Sequence, residues 1–137
     1  MVCAEHVAQL CQYRKELKQL NVAVLLISFG PEEHAKDWLE GICPSFQLLL
    51  DPERTAYHTY NLKHSWLSSW NLKTLMYYAR ALFGGREWRG IIGDSAQLGG
   101  DFIIDRDRNL LLEYCSKEAT DRPQIAELLR ILRDQKA

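Results

Sequence analysis

The chain has 137 residues, 47% of them apolar and 26% charged, with a formal net charge of −1. That length supports one domain with its own core, and the near-neutral balance excludes a bulk field that recruits nucleic acid or an anionic membrane. No apolar run reaches the roughly 18 residues of a membrane-spanning helix, and no basic segment leads into an apolar core at the amino end, so a cytoplasmic protein with reduced thiols is expected.

Val7, Leu10, Cys11 and Leu17 recur at helical spacing among Gln9, Arg14, Lys15, Glu16 and Lys18. This predicts an amphipathic helix from Cys3 to about Leu20, ended by Asn21. VAVLLISF, residues 22–29, is a continuous apolar, β-branched run, the mark of a strand covered on both faces as in a parallel sheet. Gly30-Pro31 turns the chain into the helix PEEHAKDWLE, with Pro31 in its first turn and Glu32 and Glu33 at its positive end. Gly41 stops that helix. A short strand follows at about 47–50, then a turn at Asp51-Pro52 and a short helix within ERTAYHTYNL.

Residues 65–83, SWLSSWNLKTLMYYARALF, read as a helix capped by Ser65. Trp66, Leu67, Trp70, Leu75, Tyr78 and Leu82 give it a wide apolar stripe. Gly84-Gly85 ends it, and a glycine-bearing loop follows. DFIID, the turn RDRN and LLLEYC then read as an antiparallel hairpin. Asp121 is expected to cap the last helix, with Pro123 in its first turn and Ile125, Leu128, Leu129 and Leu132 on its apolar face. The element order implies an α/β fold: one domain over 1–137 with a mixed sheet flanked by helices, and an aromatic helical and loop insertion at 65–92.

The four cysteines, Cys3, Cys11, Cys43 and Cys115, show neither a disulfide framework nor zinc spacing. No metal or organic cofactor is expected. Cys3 stands at the start of the first helix, where free N–H groups and a partial positive charge favour a thiolate. A thiolate is the form that attacks peroxides and disulfides. His6, three residues on, shares roughly the same face. The opposing reading makes Cys3 a small residue at a frayed end. Cys11, about 12 Å from Cys3 along the helix axis, reads as core, Cys43 as a loop residue and Cys115 as strand packing. In GDSAQLGG, Asp94, Ser95 and Gln97 either hydrogen-bond a substrate or tie the loop down, and Gly99 and Gly100 permit close backbone approach. The phosphate-loop pattern GxxxxGK[ST] and the hydrolase elbow GxSxG are both absent.

Five stretches carry a resemblance: VCAEHVAQL, ISFGPEEHAKDWLEG, LLLDPERTAYHTYNL, GDSAQLGGDFIIDRDRNLLLEY and DRP. Together they resemble the peroxiredoxin-like branch of the alkyl hydroperoxide reductase/thiol-specific antioxidant group, which implies a thioredoxin-like fold. In that family a CPxC-like motif follows a first, central strand. Cys3 matches its second, resolving cysteine, and the first cysteine and its strand have no counterpart here. The resemblance therefore implies an N-terminally truncated domain, with a two-cysteine cycle incomplete within the chain. It also implies a peroxide or disulfide substrate and a thiol reductant. The segment before the hairpin is implied to lie beside the active cysteine, with Gly99-Gly100 where a cis-proline is usual.

Three functions follow. The first is thiol-dependent peroxide reduction or thiol–disulfide exchange. The second is a non-catalytic binding module that uses the Trp-rich insertion. The third is a membrane-surface protein. For the insertion itself, a cap packed over the sheet ranks first, a homodimer surface second and membrane contact third.

Overall fold

The computed structural model describes residues 2–64, 72–84 and 97–136. The chain divides into two compact units, residues 1–56 with 123–137, and residues 57–122.

The first unit begins with α1 (Val2–Gln12) and α2 (Arg14–Gln19). The single helix expected over this span is broken at Tyr13, whose backbone leaves helical geometry and donates to the Leu10 carbonyl at 3.0 Å, one residue short of the regular spacing. Asn21 ends α2 in the left-handed region, at φ 56°, which asparagine tolerates better than most residues. Strand β1 (Leu25–Ser28) follows, then α3 (Glu32–Glu40), β2 (Gln47–Leu50) and, astride the division between units, α4 (Thr55–Thr59). Pro31 sits just before α3 rather than inside its first turn. Strands β1 and β2 pair in parallel, Leu25 opposite Gln47 and Ser28 opposite Leu50. The last helix, α6 (Ile125–Asp134), completes this unit.

Val7, Leu17, Leu39, Cys43, Phe46 and Leu129 are buried together as the core of this unit, with Leu10, Cys11, Val24, Leu26, Leu48, Ile125 and Leu132 packed against them. The apolar faces expected of the first and last helices therefore meet in one place. Strand β1 departs from expectation. It is not covered on both faces: Leu25 and Ile27 are exposed while Leu26 packs on the core. Side chains alternate along a strand, and the helices of this unit cover one side only. An ion pair closes the helical layer, with Arg133 Nε donating to Glu16 Oε1 at 2.5 Å and Nη2 to Oε2 at 3.0 Å. The bidentate bond holds the Glu16 carboxyl below, and the Arg133 guanidinium above, their ordinary values.

The second unit contains α5 (Leu72–Phe83) and the hairpin β3 (Gly100–Ile104) with β4 (Leu110–Cys115). The hairpin lies where the sequence predicts it. Its turn is closed by Asp105, whose carboxylate accepts from the Asn109 backbone N–H at 2.8 Å and from Asn109 Nδ2 at 2.9 Å. Gly100 has to be glycine. A Cβ there would lie 2.7 Å from Leu62 Cδ2 and 2.8 Å from the Tyr114 carbonyl.

Asp121 does not cap α6, whose N-cap is Gln124 without a side-chain bond. It braces the end of β4 instead. Its carboxylate accepts from the Tyr114 hydroxyl at 2.5 Å and from the Lys117 backbone N–H at 2.7 Å. The DRP turn comes too early to start a helix, because α6 begins two residues after Pro123. Burial alone would raise the Asp121 pKa. The Tyr114 and Lys117 hydrogen bonds, with the charges of Lys117 and Arg122, outweigh it and hold the group below its usual value. A carboxyl depressed on folding stabilises the protein above its unfolded pKa, about 3.9, and that contribution fades as pH falls through the folded value. The urea midpoint is therefore expected to fall below about pH 4, and less steeply in Asp121→Asn. Equal slopes in the two proteins would remove Asp121 from the acid response.

Candidate functional site

The cysteines are all described, and they fall into three environments. Cys11 and Cys43 form a disulfide with a Cα–Cα distance of 5.9 Å, across 32 residues of sequence. This corrects the expectation of reduced thiols without a disulfide. Cys11 is on the core side of α1, as its spacing requires. Cys43 follows α3, its N–H donating to the Leu39 carbonyl at 2.8 Å, and is fully buried beside Phe46. A cysteine read as a loop residue is therefore part of the core, because the chain turns inward directly after Gly41.

Cys115 ends β4. Its sulfur faces the Tyr60 carbonyl at 3.6 Å. Burial first, and Glu113 second, push its thiol pKa up against a smaller opposing pull from Lys63. Such a thiol is a poor nucleophile at neutral pH. Cys3 keeps its thiol and is exposed, in the first turn of α1. His6 is three residues further along the same helix and is 9% exposed.

The remaining candidates belong to the second unit. Gln97 is engaged in structure: its Nε2 donates to the Lys63 carbonyl at 3.2 Å and to the Leu98 carbonyl at 3.0 Å. Gly99 accommodates the Arg122 guanidinium, since a Cβ there would meet Nη2 at 2.7 Å. That guanidinium also donates to Asp101 at 3.1 Å. The two glycines thus serve close approach by the unit's own side chains. Asp94 and Ser95 lie outside the described residues.

The stretch DPERTAY holds a role that motif reasoning missed. Asp51 accepts from the Thr55 N–H at 2.9 Å and the Ala56 N–H at 2.8 Å, capping α4, while its own N–H donates to the Ser28 carbonyl at 2.7 Å. Arg54, at φ 58°, lays its guanidinium 4.5 Å from the centre of the Phe29 ring. The signal was weak: a capping aspartate ordinarily stands immediately before its helix, whereas Asp51 precedes Thr55 by four residues.

A groove of about 450 Å³ lies between α3 and β2, bordered by Glu32, Lys36, Leu39, Pro44 and Leu48. Its charged rim pairs within itself, since Lys36 bonds Glu32 one turn away. That bond holds Glu32 below and Lys36 above their ordinary pKa values. Among the described residues no group of three or more His, Cys, Asp or Glu side chains is arranged to hold a metal ion. No helix of the described residues is long and apolar enough to cross a membrane.

The sequence pattern of the AhpC/TSA antioxidant enzyme family matches residues 9–118. The chain belongs to that family. The mixed α/β architecture, with parallel and antiparallel strand pairs, is the thioredoxin-like fold expected of an AhpC/TSA domain, and thiol-dependent redox chemistry is its general function. The match takes in Cys11, Cys43 and Cys115 and begins after Cys3 and His6. No curated protein and no solved structure matches the chain.

Proposed function

We propose that the protein reduces peroxides through Cys3, with an external thiol closing the cycle. The supporting observation is the cysteine inventory. Two of the four sulfurs are bonded to each other, Cys115 is half-buried with its pKa raised, and Cys3 is the exposed thiol. It stands in the first turn of α1, where the backbone N–H groups have no partner within the helix.

The Cys3 thiolate attacks the terminal peroxide oxygen. The S–O bond forms, the O–O bond breaks, and the alkoxide leaves and takes a proton as the alcohol, leaving Cys3 as a sulfenic acid. A thiol from a reductant displaces water and gives a mixed disulfide. A second thiol attacks that bond, releasing Cys3 as thiolate and the reductant as its disulfide. This last half of the cycle is thiol–disulfide exchange, so both chemistries use one sulfur. The cycle needs no metal or organic cofactor.

Peroxide consumption with a dithiol donor tests the reading. The parent is expected to turn over, and Cys3→Ser to fall to the uncatalysed rate. Cys115→Ser is expected to keep the parent rate. Turnover that survives Cys3→Ser would remove Cys3 from the chemistry. No turnover by the parent would leave the chain as a binding module, a reading favoured by the exposed face of α5.

A further inference from the structure

Helix α5 carries an apolar face that stands in solvent. Leu72, Leu75, Met76, Leu82 and Phe83 recur at three- and four-residue spacing, so they share one side of the helix. All five are exposed, Leu72 by 71% and Phe83 by 94%. The expected cap, a stripe packed down on the sheet, is not what Leu75 and Leu82 form. Trp66, Leu67 and Trp70 lie outside the described residues. A helix of this length presents the face over about 18 Å, and a contiguous exposed face of that kind marks an interaction surface.

The charge around the helix says what covers it. Lys73 and Arg80, two turns apart, lie along one flank, and α5 contains no acidic residue. Lys73 has Glu118 at 3.4 Å yet stays 79% exposed, and Arg80 is exposed. In the sequence from 63 to 90 there are five lysines and arginines against the single acid Glu87, a net of +4, while the whole chain carries −1. A near-neutral total thus conceals strong segregation. A second copy docked antiparallel and face to face on α5 would set this positive flank beside its own image. A membrane surface bearing anionic headgroups takes both features together. The apolar stripe enters the headgroup–acyl boundary and the cations meet the phosphates.

We propose that α5 is an interfacial helix that docks the protein on anionic phospholipid bilayers, with Leu72, Leu75, Met76, Leu82 and Phe83 facing the acyl chains and Lys73 and Arg80 at the headgroups. The docking is independent of the thiol chemistry, so its test uses no peroxide. The full chain is co-sedimented with vesicles of equimolar phosphatidylcholine and phosphatidylserine, and with phosphatidylcholine alone, at low and high salt. The parent pellets with the mixed vesicles at low salt and is released by high salt. Leu75→Glu with Phe83→Glu lowers partitioning at least about tenfold, and Arg80→Gln lowers it about fivefold. Circular dichroism and urea midpoints matching the parent establish that the variants fold. The proposal is overturned if the parent stays in the supernatant with mixed vesicles at low salt, or if the double variant pellets as well as the parent. A parent that is dimeric at equilibrium, with a monomeric double variant, also overturns it, because the face then belongs to a second copy.

Discussion

Breaking the Cys11–Cys43 bond lowers the unfolding free energy by about 3–4 kcal/mol. The bridge closes a loop of 32 residues, and the chain-entropy relation gives a value of that size for the denatured state. Both sulfurs sit against the core of the first unit, so the native fold does not open a new surface to accommodate the bond. The measurement compares urea midpoints of the oxidised protein, the protein with dithiothreitol, and the double variant Cys11→Ala with Cys43→Ala. The two bridge-free forms are expected to unfold at similar, lower urea. Alkylation under denaturing conditions supplies the chemical check. Two thiols, Cys3 and Cys115, react before reduction and all four react after it. Four reactive thiols in the untreated protein, or coincident midpoints, would show that the bridge does not form or does not contribute.

The second large effect is at Leu129. Leu129→Ala is expected to cost about 3 kcal/mol, within the range for a fully buried leucine. Leu129 is 2% exposed and belongs to the same cluster as Val7 and Leu17, so its removal leaves a void bounded by helices that other contacts hold in place. Leu75→Ala is the paired control. Leu75 is 58% exposed, and its truncation should change stability by less than about 0.5 kcal/mol. Both measurements use oxidised protein, so that the bridge does not confound them. If the two leucines cost the same, the assignment of buried and exposed helix faces is wrong.

That contrast shows what the sequence reveals and what it hides. The last helix shows its core face through Ile125, Leu128, Leu129 and Leu132, because an amphipathic period is local information. The β3–β4 hairpin and the strand at 47–50 are equally local, and they stand where the residues predict. The same kind of apolar period on α5 misleads, since spacing identifies a face but not what covers it. Strand β1 misleads similarly. Its unbroken run of apolar residues implies cover on both sides, and the structure leaves Leu25 and Ile27 exposed.

The capping of α4 and α6 was not legible. Asp51 and Asp121 both precede helices. Asp51 bonds the helix that follows it, whereas Asp121 is taken up by Tyr114 and Lys117. The competing partner comes from the neighbouring strand, and no local pattern displays it. The disulfide was hidden for a related reason. Cys11 was placed on the core face of its helix, but the inward turn after Gly41 that brings Cys43 to the same core is a tertiary event. Cys3 was legible as a thiol at a helix start. The half-buried state of Cys115, which leaves Cys3 as the exposed thiol, required the fold.

The first unit draws its core from two separated parts of the chain, residues 1–56 and 123–137. Val7 and Leu17 emerge early during synthesis, and Leu129 is among the last residues made. Until α6 leaves the ribosome, the cluster that α1 and α2 form with Leu39, Cys43 and Phe46 lacks Leu129, Ile125 and Leu132 and is open to chaperones on that side. The residues of the second unit are complete by then, so their hairpin can form first. Nascent chains stalled before Pro123 should accordingly be digested by protease in the amino-terminal part and more resistant across the hairpin.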